Sequence, residues 1–169
     1  MKTARFAVAG IVALAVGVGS YLTYRTWAAP RLAPNIAYTL LDGSRSTIDE
    51  LRGKVVLVNF WATDCAPCVR EMPQIAALHE RFKARGYDTL AVAMRYDPPA
   101  LVVNFAEARK LPFGVVIDNT GAFAQGFDHV QFTPTSVLIN RRGEIVKRFI
   151  GEVDFDALPT LVERLLSDA

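Results

Sequence analysis

Val55-Val56-Leu57-Val58-Asn59-Phe60-Trp61-Ala62-Thr63-Asp64-Cys65-Ala66-Pro67-Cys68-Val69-Arg70-Glu71-Met72-Pro73 decides how the rest of this chain is read. Its first part is a continuous apolar run rich in valine, the pattern of a strand buried on both faces. The run breaks into a short turn that carries the only two cysteines of the protein, Cys65 and Cys68, spaced Cys-x-x-Cys. Beyond them Ile75, Leu78 and Phe82 recur at helical spacing, and Gly86 stands where a helix would stop. The two thiols therefore sit on a strand-to-helix turn, with Cys65 at or just before the first helical turn. That placement has a chemical consequence. The unpaired N–H groups and the positive dipole end of a helix start favour a thiolate, and the thiolate is the nucleophile.

Phe60-Trp61-Ala62-x-x-Cys65-x-Pro67-Cys68, with Pro73 five residues after the second cysteine, resembles the active site of the thioredoxin superfamily. Three features point to its TlpA/ResA-like branch, the membrane-anchored thiol:disulfide oxidoreductases of bacteria. They are Asn59 in the buried strand, Arg70-Glu71-Met72-Pro73 after the cysteines, and Leu51-Arg52-Gly53-Lys54 before the strand. The similarity runs from Pro34 to the C-terminus. One residue departs from the pattern: the position before the first cysteine is usually tryptophan in this branch and is Asp64 here.

A Cys-x-x-Cys pair has two other readings, half of a zinc site or an inert structural disulfide. A structural zinc site takes four ligands, and His79 and His129 are single histidines far apart in the sequence. A disulfide that closes so short a loop constrains the unfolded chain little. The strand–turn–helix context favours redox chemistry over both.

With 169 residues, 51% of them hydrophobic, the chain has room for one globular domain and something more. A net charge of +2 gives no footprint for nucleic acid. The surplus lies at the start. Phe6 to Tyr24 carries no charge, with Lys2 and Arg5 before it and Arg25 after it. About 20 apolar residues are enough to cross a bilayer as a helix, and a cleaved signal peptide has a shorter apolar core. Tyr21, Tyr24 and Trp27 fall where an interfacial aromatic belt would lie, and Ala28-Ala29 is a poor cleavage site. Residues 1–27 are thus expected to be a membrane anchor, 28–34 a spacer and 35–169 the thioredoxin-like domain. The positive charges give a weak bias toward a cytoplasmic amino terminus, so the expected location is the bacterial cytoplasmic membrane, single-pass, with the domain facing the periplasm or cell exterior.

Along the domain, Ile36–Leu41 reads as a strand and Asp42-Gly43 as a turn. A short helical turn follows, capped by Ser46 or Thr47. Thr89–Met94 is the next buried strand. A helical pattern runs through Leu101, Val102, Phe105 and Ala108 after Asp97-Pro98-Pro99, ending before Leu111-Pro112. Val115-Val116-Ile117 is a short strand and Gly121–Phe127 a short helix, an addition that resembles the central insertion of the TlpA-like branch. Met94, Phe105 and Phe123 read as core. Asn140-Arg141-Arg142-Gly143 turns between strands Thr135–Ile139 and Glu144–Ile150. Asp156–Leu166 is a last amphipathic helix, with Asp154 a candidate cap and Pro159 in its first turns.

The expected fold class is α/β: a thioredoxin fold with a mixed sheet, helices on both faces, an N-terminal β addition and the central insertion. The resemblance also implies the site. Pro134 matches the cis-proline that faces the disulfide, so Thr133–Pro134 is expected to be cis, with Thr133 offering its backbone to an extended substrate. Trp61, Pro67, Thr133 and Pro134 are expected to shape the substrate groove. Cys65 attacks and Cys68 resolves. Glu71 matches a glutamate that transfers protons in the ResA-like branch, with a solvated helix carboxylate as the plainer reading. Asn59 stands where thioredoxin has a buried acid, and an amide cannot take that proton. The carboxylate of Asp64 next to Cys65 disfavours the thiolate and so favours electron donation, unless it points into solvent or caps the helix.

The implied activity is an extracytoplasmic thiol:disulfide oxidoreductase that reduces protein disulfides, served by a membrane thiol reductase as electron donor, with neither cofactor nor metal. A second class is a membrane-tethered binding or copper-chaperone module on the same fold. Copper-carrying relatives usually show Cys-x-x-x-Cys-Pro and a later histidine, whereas the spacing here is Cys-x-x-Cys and His129 is the only late histidine. A peroxidase reading lacks a Pro-x-x-x-Thr-x-x-Cys pattern around Cys65. The substrate itself, whether apocytochrome c thiols, copper-site cysteines or general disulfides, is not legible in the sequence.

Overall fold

The computed structural model describes residues 16–21 and 30–168. The chain divides into a unit over Met1–Arg31 and a unit over Leu32–Ala169. In the first, residues 16–21 are helical; the rest of the expected anchor span, 6–15 and 22–24, lies outside the described residues. Among the described residues no helix is long and apolar enough to cross a membrane. The second unit begins earlier than expected. Leu32 bridges to Glu144, the Ala33 N–H donates to Gly143 O at 2.8 Å, and the Ala33 side chain is buried. The last residues of the expected spacer are thus tied down by the turn at Gly143.

The strands are β1 (Ala37–Thr39), β2 (Arg45–Thr47), β3 (Val55–Trp61), β4 (Tyr87–Ala93), β5 (Gly114–Ile117), β6 (Thr135–Ile139) and β7 (Ile145–Ile150). The helices are α1 (Ala66–Phe82), α2 (Pro99–Arg109), α3 (Ala122–Gly126) and α4 (Leu158–Ser167). β1 and β2 form a small antiparallel hairpin, and the other five strands make one sheet in the order β5-β4-β3-β6-β7. β3 is the centre of that sheet, parallel to β4 and antiparallel to β6, and every one of its residues is buried. This is the physical content of the unbroken valine run: helices or loops cover both faces, so no polar alternation is needed.

Side chains alternate across a strand, and β3 sorts its residues accordingly. Val55, Leu57 and Trp61 face a core built with Met72, Ile75 and Phe82 of α1, Val102 and Ala106 of α2, and Leu158 and Val162 of α4. Val56, Val58 and Phe60 face a second core with Tyr38, Ile48, Phe123 and Phe127. Asn59 shares its parity with Val55, Leu57 and Trp61, so it points toward α1. Met94 and Phe123 are buried as expected, and Phe105 packs on Trp61 with ring centroids 5.0 Å apart.

Several boundaries move. β4 starts two residues earlier than its apolar run, at Tyr87. Ser46 and Thr47 belong to β2 and cap nothing by side chain; the turn after them is a 3-10 helix, Ile48–Leu51, and Ser46 Oγ instead donates to Glu50 at 2.8 Å. α1 runs on through Pro73 to Phe82, a 3-10 turn follows, and Gly86 ends it at φ 92°, a conformation that costs glycine little. α4 starts at Leu158, because Asp154 Oδ1 accepts the N–H groups of Asp156 and Ala157 and holds them in a turn.

Candidate active site

β3 delivers the chain through Ala62-Thr63-Asp64 to Cys65, which is the N-cap of α1 in extended conformation. Cys65 Sγ accepts the N–H of Cys68 at 3.3 Å, so the sulfur takes the place that a serine or aspartate oxygen holds at other helix starts. Cys65 and Cys68 are disulfide-bonded. Cys65 is half-buried, whereas Cys68, one turn into the helix, is 0% exposed. Only the first sulfur is open to a large substrate. Pro67 sits in the first turn, where its missing N–H removes one of the helix's unpartnered donors.

The cis-proline side of the site is built by register. Phe60 is paired with Thr135 across the antiparallel β3–β6 ladder, so the next residues, Trp61 and Pro134, leave the ladder side by side. Thr133–Pro134 is a cis peptide bond. Pro134 is buried and its carbonyl accepts the Gly151 N–H at 2.9 Å, while Thr133 is half-buried and Phe132 before it is 68% exposed. Trp61 is not a groove residue. It is 0% exposed. Its position on β3 points it inward against Phe105, so it supports the redox turn from beneath and lines no open groove.

Helical periodicity places Glu71 on the buried stripe of α1, together with Cys68, Met72 and Ile75. It is 3% exposed, which excludes the solvated-carboxylate reading. Its Oε1 accepts from Asn59 Nδ2 at 3.0 Å and its Oε2 from the Val153 N–H at 3.3 Å. Burial pushes its carboxyl above the usual range; the bonds from Val153 and Asn59 oppose the shift, and Glu152 adds to it. Asn59 Nδ2 also donates to Ser136 Oγ at 2.9 Å, and its own Oδ1 has no donor among the described residues. An amide turned over would offer that acceptor to a protonated Glu71. The network satisfies a charged or a neutral glutamate at the cost of one group left over, about 1–3 kcal/mol for a buried polar atom.

Asp64 is exposed, and Cys65 rather than Asp64 caps α1. Water around an exposed carboxylate screens its effect on the sulfur. Asp64→Asn is therefore expected to move the potential of the cysteine pair by less than about 30 mV, the equivalent of one pK unit in a two-electron couple. Glutathione equilibration of parent and variant reads this directly, and a larger rise restores the strong electrostatic reading.

Two residues with structural claims on the site had no signal strong enough to find them. Ser136 is 0% exposed and registered opposite Asn59. Only the β3–β6 register, which no local pattern in the sequence carries, brings it there. Asp97 lies in a segment that reads only as a break before a helix, yet it is 2% exposed and hydrogen-bonded to Thr63.

The redoxin family profile matches residues 28–163 of the chain. The thiol-disulfide oxidoreductase ResA of a Bacillus cereus strain is 35% identical over 133 residues, 79% of this chain and 76% of that protein. The chain belongs to the redoxin family, among the ResA-like thiol-disulfide oxidoreductases. The thiol-disulfide oxidoreductase ResA of Bacillus subtilis is 34% identical over 136 residues, covering 80% of this chain and 70% of that one. Among solved structures, a Neisseria meningitidis protein provisionally described as a thioredoxin has a TM-score of 0.77 and 36% identity, covering 83% of this chain and 93% of its own. StoA from Bacillus subtilis gives a TM-score of 0.66 and 26% identity, covering 78% and 98%. In this ResA-like thiol-disulfide oxidoreductase the Cys-x-x-Cys pair is the Cys65–Cys68 disulfide, and the thioredoxin-like sheet with its N-terminal hairpin is the scaffold that presents it.

Proposed function

We propose that this redoxin reduces disulfides of other proteins outside the cytoplasm, held at the membrane by residues 6–24. The observation that carries the reading is the asymmetry of the pair: Cys65 is half-buried at the helix start and Cys68 fully buried one turn inside. The Cys65 thiolate attacks one sulfur of a substrate disulfide, forming a mixed disulfide and releasing the other substrate sulfur as a thiolate. Cys68, deprotonated, then attacks Cys65 Sγ and expels the second substrate thiolate. The substrate gains two electrons and, in water, two protons; the enzyme is left with Cys65–Cys68 oxidised. Thr133 and Pro134 flank the approaching chain, with the Thr133 backbone available to an extended substrate. Glu71, one helical turn from Cys68, receives the Cys68 proton, and Asn59 holds Glu71 in place. A membrane thiol reductase returns the electrons.

Insulin reduction in the presence of dithiothreitol tests the activity. The parent chain is expected to accelerate precipitation of the insulin B chain, and no acceleration rejects the reductase reading. The anchor is tested separately, by the mass of the protein extracted from membranes. The expected mass is that of a chain retaining residues 6–24; a soluble chain beginning near Ala29 rejects the anchor.

A further inference from the structure

The segment Met94-Arg95-Tyr96-Asp97-Pro98, between β4 and α2, has no part in the exchange chemistry above, yet it touches both sides of the site. Asp97 is 2% exposed, and both of its carboxylate oxygens are given to one residue. Oδ2 accepts the Thr63 N–H at 2.6 Å, and Oδ1 accepts the Thr63 hydroxyl at 2.6 Å. A carboxylate is costly to bury unless it is paired or hydrogen-bonded. Among the described residues Asp97 has no ion-pair partner, so the two donors of Thr63 are what hold it. Beside it, Tyr96 Oη lies 3.4 Å from Thr133 Oγ1, next to the cis bond. The segment is itself fixed to the sheet: the Met94 N–H donates to Trp61 O, and the Asp97 N–H to Met94 O, each at 2.9 Å.

We propose that Asp97 is a positioning residue of the exchange reaction. By holding both donors of Thr63 it fixes the turn that carries Cys65, two residues on, and Tyr96 ties the same segment to Thr133. The redox turn and the substrate-flanking turn are thus held by one short strut, which sets the line along which Cys65 Sγ meets a disulfide. Small errors in such placement are expensive in rate, up to about a hundredfold for a displacement of about 1 Å. The inference rests on the thiol exchange of the Cys65–Cys68 pair, in whichever direction it runs.

The test uses the full chain and four variants: Asp97→Asn, Thr63→Val, the double variant, and Thr63→Ser. For each, the rates of reduction of the Cys65–Cys68 disulfide by glutathione and of reoxidation by glutathione disulfide are measured, with insulin reduction alongside. Asp97→Asn and Thr63→Val are each expected to lose at least about tenfold in rate. Thr63→Val, which keeps the charge, loses the same factor in both directions, so its equilibrium potential stays at the parent value. The double variant is no slower than the slower single, because the pair acts as one unit. Thr63→Ser keeps both donors and restores the parent rates. A merely structural role lowers the melting temperature and leaves these rates in place. Unchanged rates in Thr63→Val, or losses that multiply in the double variant, overturn the proposal; if Asp97→Asn does not fold, Thr63→Val against Thr63→Ser decides alone. A parent chain inactive toward insulin rejects the substrate class, and the glutathione rates still decide the role of Asp97.

Discussion

Cys65→Ser is expected to bring disulfide exchange down to background, and Cys68→Ala to arrest it halfway with substrate attached. The two outcomes differ because the two sulfurs do. Cys65 is half-buried at the N-cap of α1, where the Cys68 N–H already points at its sulfur, and a serine hydroxyl there stays protonated and does not attack. Cys68 is closed off from solvent within the core and bonded to Cys65. Removing it leaves the first attack intact and takes away the resolving thiol, so the mixed disulfide accumulates toward one substrate per enzyme. Non-reducing gels of the two variants after incubation with a disulfide protein check this. A covalent adduct on Cys65→Ser, formed through Cys68, reverses the assignment.

Glu71→Gln is the second large effect. A buried general acid or base contributes about 10²–10⁴ in rate, and the lower end of that range is expected here for resolution of the mixed disulfide. The rate of the parent should rise with pH through a midpoint above the usual carboxylate range, because burial holds the Glu71 proton on. In the Gln variant that limb disappears. Stability moves the other way. A carboxyl whose folded pKa is raised contributes stability that is complete below its unfolded value, about 4.3, and is lost as pH rises through the folded one. Glu71→Gln has no such slope, so its stability relative to the parent increases with pH across that window. Stopped-flow rates and denaturant unfolding between acid and neutral pH measure both. A parallel pH profile in parent and variant removes Glu71 from the proton path.

The fold was legible because its centre speaks in two periods. The unbroken run of apolar or amide residues from Val55 to Trp61 marks a strand covered on both faces, and the spacing of Ile75, Leu78 and Phe82 marks the helix after it. The same periods place Glu71 and Cys68 on one stripe of α1, and Asn59 on the face of β3 that meets it. What the sequence left hidden depends on contacts between segments far apart. Trp61 reads as a groove residue until the sheet is assembled and its parity turns it toward Phe105. Asp97 reads as a helix-start loop residue, since nothing local says that its carboxylate reaches back 34 residues to Thr63. Asp64 is the reverse case: conspicuous in the sequence next to Cys65, and exposed in the structure.

In the proposed function, Cys65 and Cys68 form a two-electron couple that gives electrons away. The most direct test of this is equilibration of the full chain in graded glutathione buffers, with acid quench, alkylation and mass measurement. Both thiols are expected to appear and vanish together, as a single two-electron transition at a potential below about −200 mV, on the reducing side of the range of cellular disulfide catalysts. A transition near about −120 mV, the range of a strong thiol oxidant, or alkylation of one cysteine independently of the other, contradicts it.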